Sequence, residues 1–315
     1  MNEILNIDCF EWLAGREPKS LHAVCTDPPY GLVEFTPGEV AKLRNGKGGV
    51  WRIPPSFDGK KRNPLPRFSV LTLEQRQNIE KYFQQWAEAL LPALIPGAHV
   101  LVASNPVLSS HVFQGLLSSG LEPRATLMRV YHGFRGGDRP KNAEQEFPDL
   151  CVSPRGNYEP WLLFRRPIEE KTVAQNLRKW GVGALRMLEN GGPVPDVIPS
   201  SKTPAIEKSI SDHPSLKPQQ LLRFLCRMVM PTEGILLDPF MGSGSTIAAC
   251  EAIGIDSIGL EVDPHYFSAA TETIPRLAKL YPRYHGGHLE MEAPQYSREA
   301  PNQPLLLEEG ANYLA

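Results

Sequence analysis

The segment Thr26-Asp27-Pro28-Pro29-Tyr30-Gly31 places a carboxylate, a carbonyl in a stiff proline turn and an aromatic ring side by side. Two fixed hydrogen acceptors suit an amino group whose lone pair is delocalised into an aromatic ring and which is therefore a poor nucleophile. The Asp27 carboxylate and the Pro28 carbonyl can accept its two hydrogens and pull the nitrogen towards a tetrahedral geometry, freeing the lone pair for in-line attack on a sulfonium methyl. Pro29 helps to stiffen the turn, and Tyr30 can stack on a base taken out of its duplex. Alone, the segment also reads as a strand-ending Pro-Pro turn with an aspartate cap.

A second constellation lies late in the chain, Ile235-Leu236-Leu237-Asp238-Pro239-Phe240-Met241-Gly242-Ser243-Gly244-Ser245-Thr246. An apolar strand runs into a Gly-x-Gly turn that opens a helix, so the backbone can come close to a nucleotide-like ligand at the helix N-terminus. Nineteen residues after Gly242, Glu261 ends the next strand, where a carboxylate can accept both ribose hydroxyls of an adenosine. That spacing suits NAD and S-adenosylmethionine alike. Against NAD, the third glycine of the dinucleotide fingerprint would fall at Ile247, whose branched side chain would hinder close helix-strand approach. Asp238 would also repel a pyrophosphate, whereas it can pair with the ammonium of a methionine moiety while backbone N–H groups receive its carboxylate.

The elements that must hold these residues alternate between strand and helix patterns. Strands are expected at 3–7, 21–26, 98–103, 125–131, 158–165, 234–238 and 257–261. Helical patterns cover a turn at 12–13 and the ranges 73–94, 107–117, 173–180, 218–230, 244–252 and 264–280. Pro96-Gly97 is expected to end a helix before the strand that follows. Such alternation argues for an α/β protein whose mostly parallel sheet is covered on both faces. Residues 31–70 show neither period and are longer than an ordinary connection, which marks a functional loop.

In combination, the two constellations resemble the N4-cytosine/N6-adenine DNA methyltransferases, in the β arrangement where the catalytic motif precedes the cofactor motif. Asp27-Pro28-Pro29-Tyr30 is similar to their catalytic motif, Asp238 to Thr246 to their cofactor loop, and Gly259-Leu260-Glu261-Val262-Asp263 to their ribose-binding strand. His213-Pro214-Ser215-Leu216-Lys217-Pro218 resembles the stretch leading into the cofactor half, Asn6-Ile7-Asp8-Cys9 the adenine-contacting opening, and 158–167 a late strand of the catalytic half. The resemblance covers most of residues 1–280. It implies a doubly wound, mostly parallel seven-stranded sheet of the S-adenosylmethionine-dependent methyltransferase type, circularly permuted.

By the same resemblance Asp27, Pro28, Pro29 and Tyr30 are catalytic, and S-adenosylmethionine is held by Asp8, Cys9, Lys217, Asp238, Phe240, Gly242, Ser243, Gly244, Ser245, Thr246, Glu261 and Asp263. Asp8 would bind the adenine amino group, Cys9 the ring through its backbone N–H, and Lys217 would lie near the methionyl carboxylate. The implied partner is double-stranded DNA, and a homodimer and a cognate restriction endonuclease are further partners that the family admits. Aspartate at the head of the catalytic motif favours N6 of adenine as the target, with N4 of cytosine as the alternative. An RNA or protein amino-methyltransferase and a catalytically silent DNA-binding module are the other readings.

Composition bounds these expectations. With 41% hydrophobic and 22% charged residues the chain can bury a large core, and no apolar run reaches the length of a membrane span. The N-terminus lacks the pattern of a secretory signal, which predicts a cytoplasmic protein. Five widely separated cysteines without a Cys-x-x-Cys pair are expected to be reduced, with Cys226 and Cys250 as small buried hydrophobes, and no metal site is expected. His285 and His288 lie in a Gly-rich tail segment.

The net charge is only −2, but nine Lys/Arg stand against three Asp/Glu over 36–76, and one Arg against five Glu over 286–315. In the basic loop, Arg44, Lys47, Arg52, Lys60, Lys61 and Arg62 are candidates for phosphate contact. Trp51 is a candidate for stacking or wedging between bases, or alternatively for anchoring the loop. The organisation expected is a single methyltransferase domain over 1–284 and an acidic tail over 285–315. Within the domain come a catalytic half (1–165, with basic loop 31–76), a target-recognition segment (166–212) and a cofactor half (213–284).

Overall fold

The structure, a computed structural model, describes residues 2–29, 71–135, 140, 143, 145–152, 154, 156–211, 213, 216–231 and 233–281. Tyr30, the basic loop with Arg44, Lys47, Trp51, Arg52, Lys60, Lys61 and Arg62, and the acidic tail lie outside the described residues.

The chain begins with β1 (Asn2–Leu5), α1 (Cys9–Ala14) and β2 (Leu21–Thr26). The helix α2 (Leu73–Leu90) follows, then β3 (Leu94–Ala103), α3 (Ser109–Ser118), β4 (Glu122–Arg135) and β5 (Gly156–Arg165). Next come α4 (Val173–Trp180), β6 (Val197–Pro199), the short α5 (Ala205–Lys208) and α6 (Gln219–Val229). The last described elements are β7 (Ile235–Asp238), α7 (Ser245–Ala252), β8 (Asp256–Leu260) and α8 (Pro264–Ala278).

The strands form one mixed sheet in the order β1-β8-β7-β2-β3-β5-β4-β6. Among the described residues only the β3-β5 and β5-β4 pairs are antiparallel, as the expectation of a mostly parallel sheet requires. Among the described residues the sheet has eight strands where seven were expected. The added one is β6, three residues paired with β4 at the edge, in a stretch whose prolines had marked it as irregular.

β3 also departs from the sequence reading. It starts at Leu94 and runs through Pro96 and Gly97, which were expected to separate helix from strand. The two residues sit in an irregularity of the β2-β3 ladder, where the register slips from Leu21↔Leu94 to Ala23↔His99. A bulge removes the need for the proline's missing N–H. The buried Asn176 amide secures the bulge by donating to the Pro96 and Val182 carbonyls, both at 2.8 Å.

Helices cover both faces, as alternation predicted. α2 begins with a Thr72/Gln75 capping box and buries Ile79, Phe83, Trp86, Ala87 and Leu90, a stripe at helical spacing, against Val24, Val100, Val102, Leu162 and Phe164 of the sheet. On the opposite face α6 and α7 pack with Cys25, Leu101, Ala103, Trp161 and Leu236. Cys25, Cys226 and Cys250 are buried there as free thiols. A third cluster joins α7 to α8 through Ile247, Ala248, Ala270, Ile274 and Leu277.

The segment 166–212 is bound to this frame. β6 extends the sheet, Leu185, Leu188 and Val194 pack on the second core, and Arg186 donates to the Pro231 carbonyl at 2.7 Å. No described helix is long and apolar enough to cross a membrane.

Candidate active site

β2 and β7 are neighbours at the middle of the sheet, and the chain steps outward from them in opposite directions, from β2 to β3 on one side and from β7 to β8 on the other. The carboxyl ends of β2 and β7 therefore flank a topological switch point, where an open α/β sheet leaves a crevice. Asp27 follows β2, and Asp238 ends β7. The Thr26 hydroxyl donates to Asp238 Oδ1 at 2.7 Å and ties the two strand ends together, a bond between residues 212 positions apart.

Asp27, Lys217, Asp238, Phe240, Gly242, Ser245 and Thr246 line one cleft there, together with His213, Leu222 and Met241. Seven of the residues singled out from sequence thus meet in one place. Among the others, Pro28 is buried and Pro29 is exposed at the same strand end.

The glycine turn is built from backbone. Gly242 and Gly244 have φ of 53° and 82°, a region where a β-carbon is strained. A Cβ on Gly242 would stand 2.9 Å from His213 Nε2, and one on Gly244 2.5 Å from Ile274 Cγ1. Glu261 fixes the turn from the neighbouring strand end, accepting from the Gly242 N–H at 2.9 Å and from the Asp263 N–H at 2.8 Å. Asp263 caps α8 by accepting from the His265 N–H at 2.8 Å. The N-terminus of α7 has no side-chain cap, so its first-turn N–H groups are placed to receive an anionic group. Ser243 is buried, and its hydroxyl has no hydrogen-bond partner among the described residues.

The helix carrying Ile247 does approach the strand closely, because the missing side chain is on the strand. A Cβ on Gly259 of β8 would lie 2.5 Å from Met241 Sδ and 2.7 Å from Ile247 Cγ1. Gly259 supplies the clearance that a third glycine on the helix would give, so Ile247 no longer speaks against a dinucleotide.

Asp8 and Cys9 stand beside the same strand end. The Ile7 N–H donates to the Glu261 carbonyl at 3.2 Å, and Asn6 Nδ2 donates to that carbonyl at 2.7 Å, which aims the β1-α1 turn at Glu261. Asp8 Oδ1 caps α1 through the Phe10 N–H at 2.9 Å. Burial, with the neighbouring Asp8 charge, pushes the Cys9 thiol up to about 12, so its thiolate plays no part.

Around Asp27 the structure assembles a charge network that the sequence did not announce. Lys217 Nζ lies 2.5 Å from Asp27 Oδ2 and 3.2 Å from Glu159 Oε1. Glu159 Oε2 accepts from Arg129 NH1 at 3.0 Å and from Trp161 Nε1 at 3.1 Å. Arg129 and Glu159 are directly opposed in the antiparallel β4-β5 ladder. Arg129 is further held by Ser200 Oγ and the Ser201 carbonyl, each at 3.1 Å. Lys217, expected near a cofactor carboxylate, lines the cleft with the glycine turn and is paired with the carboxylate of the Asp-Pro-Pro turn. Glu159 and Arg129 were missed, since their one sequence signal is alternation within strands of ordinary appearance.

The electrostatics follow from burial. Burial pushes Asp27 above the usual carboxylate range against the pull of Lys217, and Glu159 adds to the rise. Burial also opposes the charge on Glu159, yet Lys217 and Arg129 hold it below the usual value. Lys217 likewise keeps its proton despite burial, because Asp27 and Glu159 flank it. Asp238, buried and countered by bonds from Thr26, Thr246 and the Phe240 N–H, is pushed up to about 6. The arrangement presents hydrogen acceptors at one strand end and a glycine turn at the next, within one cleft.

Residues 21–272 match the profile of the N6/N4 methyltransferase family, described as DNA methylase. Among curated proteins the chain is similar to the type II methyltransferase M.HindIII of Haemophilus influenzae, with 23% identity covering 86% of this chain and 94% of that one. Among solved structures it is similar to M1.HpyAVI in complex with SAM, with a TM-score of 0.53, 18% identity and coverage of 87% and 99%. It is also similar to the PvuII DNA methyltransferase, which is cytosine-N4-specific, with a TM-score of 0.53, 13% identity and coverage of 91% and 94%.

Proposed function

The chain belongs to the N6/N4 DNA methylase family, and from that premise we propose that it transfers a methyl group from S-adenosylmethionine to N6 of an adenine taken out of duplex DNA. The observation that carries this reading is the shared cleft of Asp27 and the Asp238–Thr246 turn, which puts an amino-group acceptor beside a cofactor cradle. We assign Asp238 to the methionyl ammonium, the N-terminus of α7 to its carboxylate, and Glu261 to the ribose hydroxyls, a reading supported by Asp238 lining the cleft and by Glu261 bracing the turn. The orphaned Ser243 hydroxyl fits a polar ligand at the turn.

S-adenosylmethionine, when bound, supplies an electrophilic sulfonium methyl. The protein's contribution is to position the amine. Asp27 and the Pro28 carbonyl accept its two hydrogens, and Asp27 takes the proton that leaves as the new N–C bond forms. Excluding water from this half-buried site strengthens those acceptors. Tyr30, next along the turn, is assigned the face of the flipped base.

For the duplex we assign phosphate contact to Arg44, Lys47, Arg52, Lys60, Lys61 and Arg62, and a stacking role to Trp51. Replacing Lys60, Lys61 and Arg62 together by glutamine is expected to lower the slope of log affinity against log salt by about 2–3. An unchanged slope contradicts that assignment.

Transfer of tritiated methyl to unmethylated DNA tests the main reading. Asp27→Ala is expected to lose at least about a thousandfold in rate while cofactor affinity stays within about threefold. Mass spectrometry of the digested product should show N6-methyladenine. N4-methylcytosine without N6-methyladenine would reassign the base, and transfer only to RNA or protein would reassign the substrate.

A further inference from the structure

Lys217 alone would neutralise Asp27, so the second carboxylate beside it needs a reason. Glu159 brings a like charge towards Asp27 in a half-buried site, and Arg129 is then required to restore neutrality across the four groups. The bonds to Glu159 show how the set is held. Arg129 and Trp161 occupy Oε2, which turns Oε1 towards Lys217 at 3.2 Å, while the ammonium reaches Asp27 at 2.5 Å on its other side. Arg129 is anchored in turn by Ser200, Ser201 and the Tyr131 ring, whose centroid is 4.7 Å from its guanidinium carbon. The anchoring runs from the sheet edge inward and ends on Asp27.

We propose that Glu159 is a positioning residue for methyl transfer: by dividing the Lys217 ammonium between two carboxylates it holds Asp27 in place without closing it off in a single ion pair, leaving it able to accept the target amino group. The proposal rests on the function proposed above. A lysine committed wholly to Asp27 would compete with the substrate amine for the same oxygens, because charge-assisted bonds are shorter and about twice as strong as neutral ones. With Glu159 drawing on the ammonium, Asp27 is oriented while remaining a good acceptor. Among the described residues, the charged and titratable groups around Asp27 are Lys217 ahead of α6, Glu159 on β5, Arg129 on β4, Asp238 on β7, Cys25 on β2 and His213 in the shared cleft.

The test is the pH dependence of single-turnover methyl transfer at saturating S-adenosylmethionine, whose acid limb reports ionisation of Asp27. Glu159→Gln removes the like charge and releases Lys217 to Asp27, so the limb should move to lower pH by about one unit while the plateau rate falls about tenfold. Lys217→Met should move the limb the opposite way, to higher pH by about one unit or more. Cofactor affinity of Glu159→Gln should stay within about threefold of the wild type, separating a positioning effect from loss of the cradle. An acid limb unmoved in Glu159→Gln, or displaced in the same direction as in Lys217→Met, overturns the proposal. Should Glu159→Gln fail to fold, Glu159→Asp decides the matter. Its shorter carboxylate reaches Lys217 less well, so its limb should fall below the wild type, and an unmoved limb with a reduced rate counts against the role. A wild-type protein that methylates no DNA would instead overturn the function on which the proposal rests.

Discussion

The cofactor turn and the surroundings of Asp27 are built in opposite ways. The turn from Asp238 to Thr246 is a continuous stretch whose shape is set by two left-handed glycines and whose main external brace, Glu261, follows 19 residues after Gly242. Asp27 is held by Lys217, 190 residues away, which leans on Glu159, which leans on Arg129 across a ladder. A site made of backbone depends on local conformation, whereas a site made of side-chain charges depends on the tertiary fold. The first is robust to changes elsewhere and intolerant of any added side chain. The second should respond in steps to each charge removed.

This contrast can be broken at either end. The largest separation expected is between Asp27→Ala, which should abolish transfer with cofactor affinity retained, and Gly242→Ala, which should do the reverse. In Gly242→Ala a β-carbon enters a left-handed position and crowds His213, so affinity for S-adenosylmethionine by titration calorimetry should fall about tenfold while the rate at saturation stays within about threefold. Equal losses of affinity in the two variants would erase the distinction. An intermediate effect is expected at Glu159, through the rate and its pH dependence.

The smallest effect concerns stability at Asp238, the point where the two regions are joined by Thr26. Its native pKa of about 6 lies above the ordinary 3.8, so the native state binds the extra proton. Stability contributed by this group is therefore present below pH 4 and lost as pH rises to about 6. Asp238→Asn should flatten that dependence and raise stability at pH 7 by about 1–3 kcal/mol, while weakening cofactor binding. Equilibrium unfolding at several pH values checks it, and a variant less stable than the wild type at pH 7 contradicts the assignment.

The same contrast explains what the sequence revealed. The positions of Asp238, Gly242, Gly244 and Glu261 at the turn and the neighbouring strand end were legible because they follow from residue type and spacing along two adjacent strands. The start of α2 and the boundaries of α4 were legible from the same kind of signal. Glu159 and Arg129 were not, since pairing across β4 and β5 depends on a register that alternation alone does not fix. The placement of Lys217 on Asp27 depends on how the segment before α6 crosses the strand ends. β3 was mistaken at Pro96-Gly97 because a bulge, secured by Asn176 from far along the chain, accommodates a proline that would ordinarily exclude a central strand. Gly259 was quoted as part of a motif, but its use as the clearance for Ile247 required the packing of α7 on the sheet.

Methylome sequencing of a host expressing the wild-type chain and, in parallel, Asp27→Ala tests the central claim most directly. N6-methyladenine at one short sequence throughout the genome is expected with the wild type and none with the variant. A genome without new methylated bases, or with the same marks in both, would contradict it.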